Sequence, residues 1–281
     1  MKSAIKQKLA FALMGLTTIV VIVPALVIIG IIVKEGAPAL SWEFLTTFPA
    51  PGMVEGGIFP AIVGTICLVV AAVVFAVPFG VFAAIYLNEY ASENFLTRLV
   101  RLAIINLAGV PSIVYALFGM ALFVNYMKLG ASILAGGLTL AVMNLPVIIT
   151  ASKEALDSVP QHFREASLSL GVSKWQTIRH IVLPNAIPGI LTGIILEVSR
   201  AAGETAPILF CAAALYKPEL PTSVFEQVMA LPYHLYIIAT SVPGVSSEQK
   251  YGTALVLLGL VFAFNFFAIL LRARLRAKRK W

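Results

Sequence analysis

Three ionisable residues interrupt one of the most apolar parts of the chain. They lie in the run Leu196-Glu197-Val198-Ser199-Arg200-Ala201-Ala202-Gly203-Glu204-Thr205-Ala206-Pro207. On a continuous helix Arg200 stands about 60° from Glu197 and Glu204 about 20° from it on the same side, so the three are predicted to share a face. Each such residue in a bilayer costs about 2.5–3.5 kcal/mol or more, so the face must meet a cavity or its own partners. A guanidinium offers paired donors that match a tetrahedral oxyanion. Arg200 is thus suited to meet an anion part-way across, with Glu197 and Glu204 holding it between anions and keeping the anion from binding too tightly. The alternative is an internal ion-pair cluster that fixes helix packing and nothing more. Gly203 and Pro207 loosen the helix beside the charges.

A second unusual stretch is polar where its surroundings are not. Between Lys153 and Pro184, Ser158 precedes Gln161 by three residues and Ser173 precedes Gln176 by three, the spacing of a capping box. Gly171 stands where a helix ending at Leu170 needs a left-handed residue. The stretch is predicted to be helix, glycine hinge, helix, with Pro184 closing the second arm. Phe163, Ala166 and Leu170 form an apolar face on the first arm, and Trp175, Ile178 and Val182 one on the second. Such a hairpin either lies on lipid headgroups or offers a knob to another protein.

The elements that position these residues follow from composition. With 60% hydrophobic and only 12% charged residues in 281, and a mean hydropathy of +0.96, the chain holds more apolar surface than a soluble domain buries. It is predicted to be an all-α, polytopic membrane protein with six transmembrane helices over residues 9–33, 60–86, 102–126, 132–151, 186–215 and 253–271. The first run is too long for a signal-peptide core and is taken as an uncleaved span. Proline recurs in the spans (Pro60, Pro78, Pro111, Pro146, Pro188, Pro207) and is taken mostly as packing kinks.

Basic residues set the expected orientation. Lys2, Lys6, Lys8, Arg98, Arg101, Lys153, Arg164, Lys174, Arg179 and the tail 272–281 fall on one side, against Lys34, Lys128, Lys217 and Lys250 on the other. Both termini and the 153–184 hairpin are therefore expected in the cytoplasm, with the tail on anionic headgroups. The segment 216–252 is expected outside, with a short helix from Val224 to Leu231 capped by Ser223 and Glu226. It is not a seventh span, because Glu226, Pro232 and His234 interrupt it.

Several functions are excluded by what the sequence lacks. Gly171-Val-Ser-Lys174 has the wrong order for a phosphate-cradling loop, so the chain is no ATPase. No nucleophile set suggests another enzyme. His162, His180 and His234 lack metal-ligand spacing, Cys67 and Cys211 lie in separate apolar runs, and the net charge of +7 sits at span ends rather than in a nucleic-acid patch. No cofactor is expected on this chain.

The wording of the hairpin adds to this. Glu165-Ala166-Ser167, Gly171 four residues on, then Ile181-Val-Leu183-Pro184, resembles the EAA loop of the membrane subunits of bacterial ABC importers. The run from Arg200 to Pro207 resembles the Arg-x-x-Gly-Glu-Thr-Ala-Pro pattern of the PstA-type permeases of phosphate importers. Leu87-Asn88-Glu89-Tyr90 and the segment Gly109 to Val114 also match that family. Ala206 is the PstA-type choice where the partner permease usually has Met, and Thr205 departs from the Gly-Glu-Phe of sulfate and molybdate permeases.

The resemblance implies a type I ABC importer permease fold. It implies a substrate pathway at Arg200, Glu204, Glu197 and Thr205, and ATPase coupling through Glu165, Ala166, Ser167, Gly171, Ile181, Leu183 and Pro184. Implied partners are a homologous PstC-like permease, two copies of a PstB-like cytoplasmic ATPase that carries ATP and Mg, and a PstS-like phosphate-binding protein outside. Inorganic phosphate and the lipid bilayer complete the set. Competing functions are a permease for another tetrahedral oxyanion, an ATP-independent anion transporter, and a non-transporting scaffold; the latter two leave the patterned hairpin or the buried charges without a role.

Overall fold

The computed structural model describes residues 2–277, and apart from two isolated bridges their regular structure is helical. In chain order the helices are α1 (Lys2–Gly36), α2 (Trp42–Thr46), α3 (Phe59–Ile85), α4 (Phe95–Ala108), α5 (Ser112–Gly119), α6 (Ile133–Asp157), α7 (Gln161–Ser169), α8 (Lys174–Thr177), α9 (Leu183–Gly203), α10 (Ala206–Cys211), α11 (Leu231–Thr240) and α12 (Ser247–Ala277). Wide π-helical turns extend α3 through Tyr86–Tyr90, extend α5 through Met120–Tyr126, and join α8 to α9 through Ile178–Val182. Among the described residues five helices are long and apolar enough to cross a membrane, and six spans result if the bent pair α4 and α5 counts as one.

The inner layer is α3, α6 and α9. Small residues let these helices approach: Gly189 of α9 faces the Ala155 methyl, Gly193 faces Ala151, Gly137 of α6 faces Ala71, and Gly80 of α3 faces Ile148. Close backbone approach takes the place of the hydrophobic drive that lipid cannot supply. Outside this layer α12 packs on α9, and α1 packs on α12 with its apolar side chains exposed. Pro24, Pro78, Pro146 and Pro188 all lie within continuous helices, as kinks do.

Four expectations are corrected. First, the run 102–126 is not one straight span. It breaks at Gly109-Val110-Pro111, and α4 and α5 meet at 105°. Pro111 disfavours helix at the residue before it, and the Tyr115 hydroxyl donates to the Leu107 carbonyl (2.8 Å), which closes the corner.

Second, the span 186–215 stops short: α9 ends at Gly203, Glu204 is extended, and α10 begins afresh at Ala206 with Pro207 in its first turn. Third, the short helix of the 216–252 segment is α11, not Val224 to Leu231. Glu226 is claimed by Lys217 Nζ (2.5 Å) and the Thr222 hydroxyl (2.6 Å), and Ser223 Oγ accepts from Phe225 N two residues on, so no capping box forms. Val228 instead bridges to Ala213, and Pro232 starts α11.

Fourth, Ser158 caps nothing at a helix start. Its hydroxyl donates to Ala155 O at the end of α6, and Pro160 precedes α7. The basic tail continues α12 through Ala277, while Lys278, Arg279 and Lys280 lie outside the described residues.

Candidate functional site

The 153–184 hairpin, expected to couple to an ATPase, is built from α7, a turn, and α8. Gly171 has φ +77°, the left-handed value the turn needs, and its N–H donates to Leu168 O (3.0 Å). Ser173 then opens α8 with both halves of a capping box to Gln176. The second arm does not end at Pro184. Residues 174–203 form one 30-residue helix, because Pro184 falls in the first turn of α9, just past the π-turn.

That continuity turns the second arm's stripe inward. Ile178 and Val182 are buried with Leu156 and Val159 at the base of the bundle, and the exposed apolar knob is Leu168, Leu170 and Trp175. Of the residues expected to couple, Glu165 and Ala166 are exposed on α7. Ser167 is buried and its hydroxyl meets the Thr177 hydroxyl at 2.8 Å, tying one arm to the other. Ile181 lies in the π-turn, where its carbonyl accepts from Asn185 Nδ2, and Leu183 and Pro184 begin α9.

Two residues emerge here that pattern alone gave no role. Arg164 Nε and Nη2 donate to Glu89 Oε1 at 3.2 and 2.9 Å, Nη1 donates to Val159 O at 2.6 Å, and Nη2 also donates to Leu156 O at 2.8 Å. The two side chains are only 11% and 7% exposed, so the pair is shielded from water. Truncating one member of such a pair typically costs about 3–5 kcal/mol, because the other charge is left buried alone. The signal in the sequence was weak: Arg164 read as one more cytoplasmic charge, and nothing local linked it to a residue 75 positions earlier.

The charged residues of α9 separate. Arg200 Nε donates to Glu204 Oε1 at 3.1 Å, with side chains 42% and 18% exposed. Glu197 instead is buried among α3 and α6 beside Asn144, Ala72, Ala76 and Ile148, and its Oε2 has no hydrogen-bond partner. The shared face was derived for an unbroken helix. Since α9 ends at Gly203, Glu204 leaves the helix and swings to Arg200 alone. Thr205, half-buried, sits in the break and precedes α10.

The depth of this break follows from helix geometry. From Ala186, where the apolar run begins, Arg200 lies about 21 Å along the helix, some two-thirds of a hydrocarbon core of about 30 Å. Backbone that leaves the helix at such depth is tolerated only against protein or a water-filled cavity. A half-exposed guanidinium beside it can receive an anion from its open side.

Residues 76–280 match the family model described as binding-protein-dependent transport system inner membrane component. The chain is 33% identical to the "Probable ABC transporter permease protein YqgI" of Bacillus subtilis, with 95% of each chain covered. It is 34% identical to the "Phosphate transport system permease protein PstA 1" of Mycobacterium tuberculosis, covering 97% of this chain and 90% of that one. Its fold is that of a solved bacterial ABC transporter for alginate import, with TM-score 0.70 at 16% identity over 97% of this chain and 98% of that one. The chain belongs to the family of inner-membrane components of binding-protein-dependent transport systems, as a multi-pass ABC transporter permease.

Proposed function

We propose that the chain is one of two permease subunits of an ATP-driven importer for inorganic phosphate. The observation that carries this is the Arg200–Glu204 ion pair at the broken end of α9, with the guanidinium half exposed. Phosphate competes with Glu204 for the guanidinium, so Glu204 prevents both an unpaired charge and an anion that never leaves. The PstA name of relatives about a third identical over nearly the whole chain supports phosphate as the cargo.

A homologous PstC-like permease faces Arg200 and completes the pathway. Two PstB-like ATPases, which carry ATP and Mg, engage the Leu168, Leu170 and Trp175 knob from the cytoplasm. A PstS-like protein delivers phosphate at the outer face. Both termini are cytoplasmic, as the basic residues require. Closure of the ATPase dimer displaces the hairpin, and because residues 174–203 are one helix, Arg200 and Glu204 move with it and expose the path alternately.

Reconstitution of the complete assembly in proteoliposomes tests this. ATP-dependent uptake of radiolabelled phosphate in preference to sulfate is expected. Preferential sulfate uptake, or gradient-driven uptake by the chain alone, refutes it.

A further inference from the structure

The hairpin is joined to α6 and α9 by the chain itself. It meets α3 only through side chains. Leu87 and Ile85 at the end of α3 share an apolar cluster with Leu156, Val159, Ile178 and Val182, and such contacts resist separation but are non-directional. The directional contact is the guanidinium of Arg164. It grips Glu89 in the π-turn that ends α3 and, at the same time, the carbonyls of Leu156 and Val159 at the end of α6. Asn88 Nδ2 donates to the same Glu89 oxygen at 3.1 Å, and Lys174 at the start of α8 sits 5.2 Å from the Tyr90 ring centre. Both arms of the hairpin thus hold the one five-residue turn Tyr86–Tyr90.

We infer that the Arg164–Glu89 pair is the tie that makes α3 follow the coupling hairpin, so that α3, α6 and α9 travel as one body when the hairpin is displaced. Without it, α9 is driven directly through its helical continuity while α3 slips along an apolar seam. Since α3 and α6 enclose Glu197 and flank the helix that carries Arg200, slippage leaves the pathway imperfectly closed on one side. Arg164 and Glu89 are positioning residues: they act through the helices and touch no cargo. The inference rests on the coupling role proposed for the hairpin and adds the route by which the displacement reaches the third inner helix.

The experiment is the stoichiometry of the complete transporter in proteoliposomes, phosphate imported per ATP hydrolysed, together with the yield of assembled complex. Glu89→Gln removes the charge but keeps the shape. Arg164→Lys keeps the charge but cannot reach Glu89 and both carbonyls together. In both variants the complex is expected to assemble and hydrolyse ATP, while phosphate per ATP falls about five-fold, within the range for residues that carry coupling between sites.

A purely structural role lowers the yield and leaves the ratio of surviving complexes at the wild-type value. An unchanged ratio in either variant that assembles, or failure of both to assemble, overturns the tie. Absence of coupled uptake in the wild-type complex would instead defeat the coupling role itself.

Discussion

Substitution of Gly171 separates two explanations of why the hairpin turn needs glycine. Its φ of +77° is left-handed, and a Cβ built there meets nothing within 4 Å in this chain. Any cost inside the chain is therefore conformational. An L-residue held in that region costs about 1–2 kcal/mol, more for a β-branched one and less for Asn, whose short side chain tolerates it. At about 2 kcal/mol, Gly171→Val shifts the hairpin away from its docked shape by roughly thirty-fold. Gly171→Ala falls between, and Gly171→Asn costs only a few-fold.

The assay is titration of the cytoplasmic ATPase onto the permease pair in nanodiscs, with affinity read for each variant. Strain predicts the order Gly, Asn, Ala, Val. Crowding against the ATPase predicts Gly, Ala, then Asn and Val together, because size alone decides. Equal affinity for all four refutes both the turn geometry and the docking role.

The half of the molecule that holds α11 yields two further tests. At Gly64 a methyl group would collide with the carbonyl oxygen of Met229, a backbone atom fixed by the nearby Leu231 N–H bond to Thr65 Oγ1 (2.8 Å). Gly64→Ala should cost about 1–3 kcal/mol, seen as a lower thermal midpoint and faster proteolysis of the 216–230 loop, and an unchanged midpoint contradicts the close approach. Burial in α11 holds the His234 imidazole down, to about 4, and neither ring nitrogen has a hydrogen-bond partner. The unfolded chain therefore takes up the proton first as pH falls. The stability His234 contributes is complete above about pH 6.5 and declines by about 1.4 kcal/mol per pH unit down to about pH 4. His234→Leu should flatten thermal stability across that window by this amount, and identical slopes in both proteins refute the buried neutral imidazole.

Much of this architecture was legible in the residues. Apolar runs located the membrane helices because nothing else accounts for so much apolar surface, and Gly171 with Ser173 and Gln176 defined the hairpin turn because left-handed backbone and capping leave local marks. Breaks were harder. The corner at Pro111 and the gap at Glu204 and Thr205 lie inside continuously apolar sequence, so length suggested single spans where the chain makes two helices. Composition could not separate a proline that kinks, as Pro188 does, from one that restarts a helix, as Pro207 does; the outcome depends on whether neighbours supply the lost bonds.

The same limit explains the outer helix. The spacing of Ser223 and Glu226 was sound as a local signal, but Lys217 and Thr222 take the carboxylate and a tertiary contact overrides the cap. Glu197 shows a further limit. A helical wheel sets it about 60° from Arg200, which is wide enough for Glu197 to face α3 and α6 while Arg200 stays half exposed; the end of α9 at Gly203 displaces only Glu204. The pairing of Arg164 with Glu89 lies beyond any local rule, since the fold alone brings the two together.

The most direct measurement is phosphate uptake by the assembled transporter carrying Arg200→Ala. The half-exposed position of Arg200 and its single ion pair mean that its loss should leave assembly and the fold intact. Uptake is expected to fall to background while the complex purifies with its ATPase at wild-type yield. Uptake at the wild-type rate by that same complex would contradict the account, because the cargo would then cross without the one charge placed to receive it.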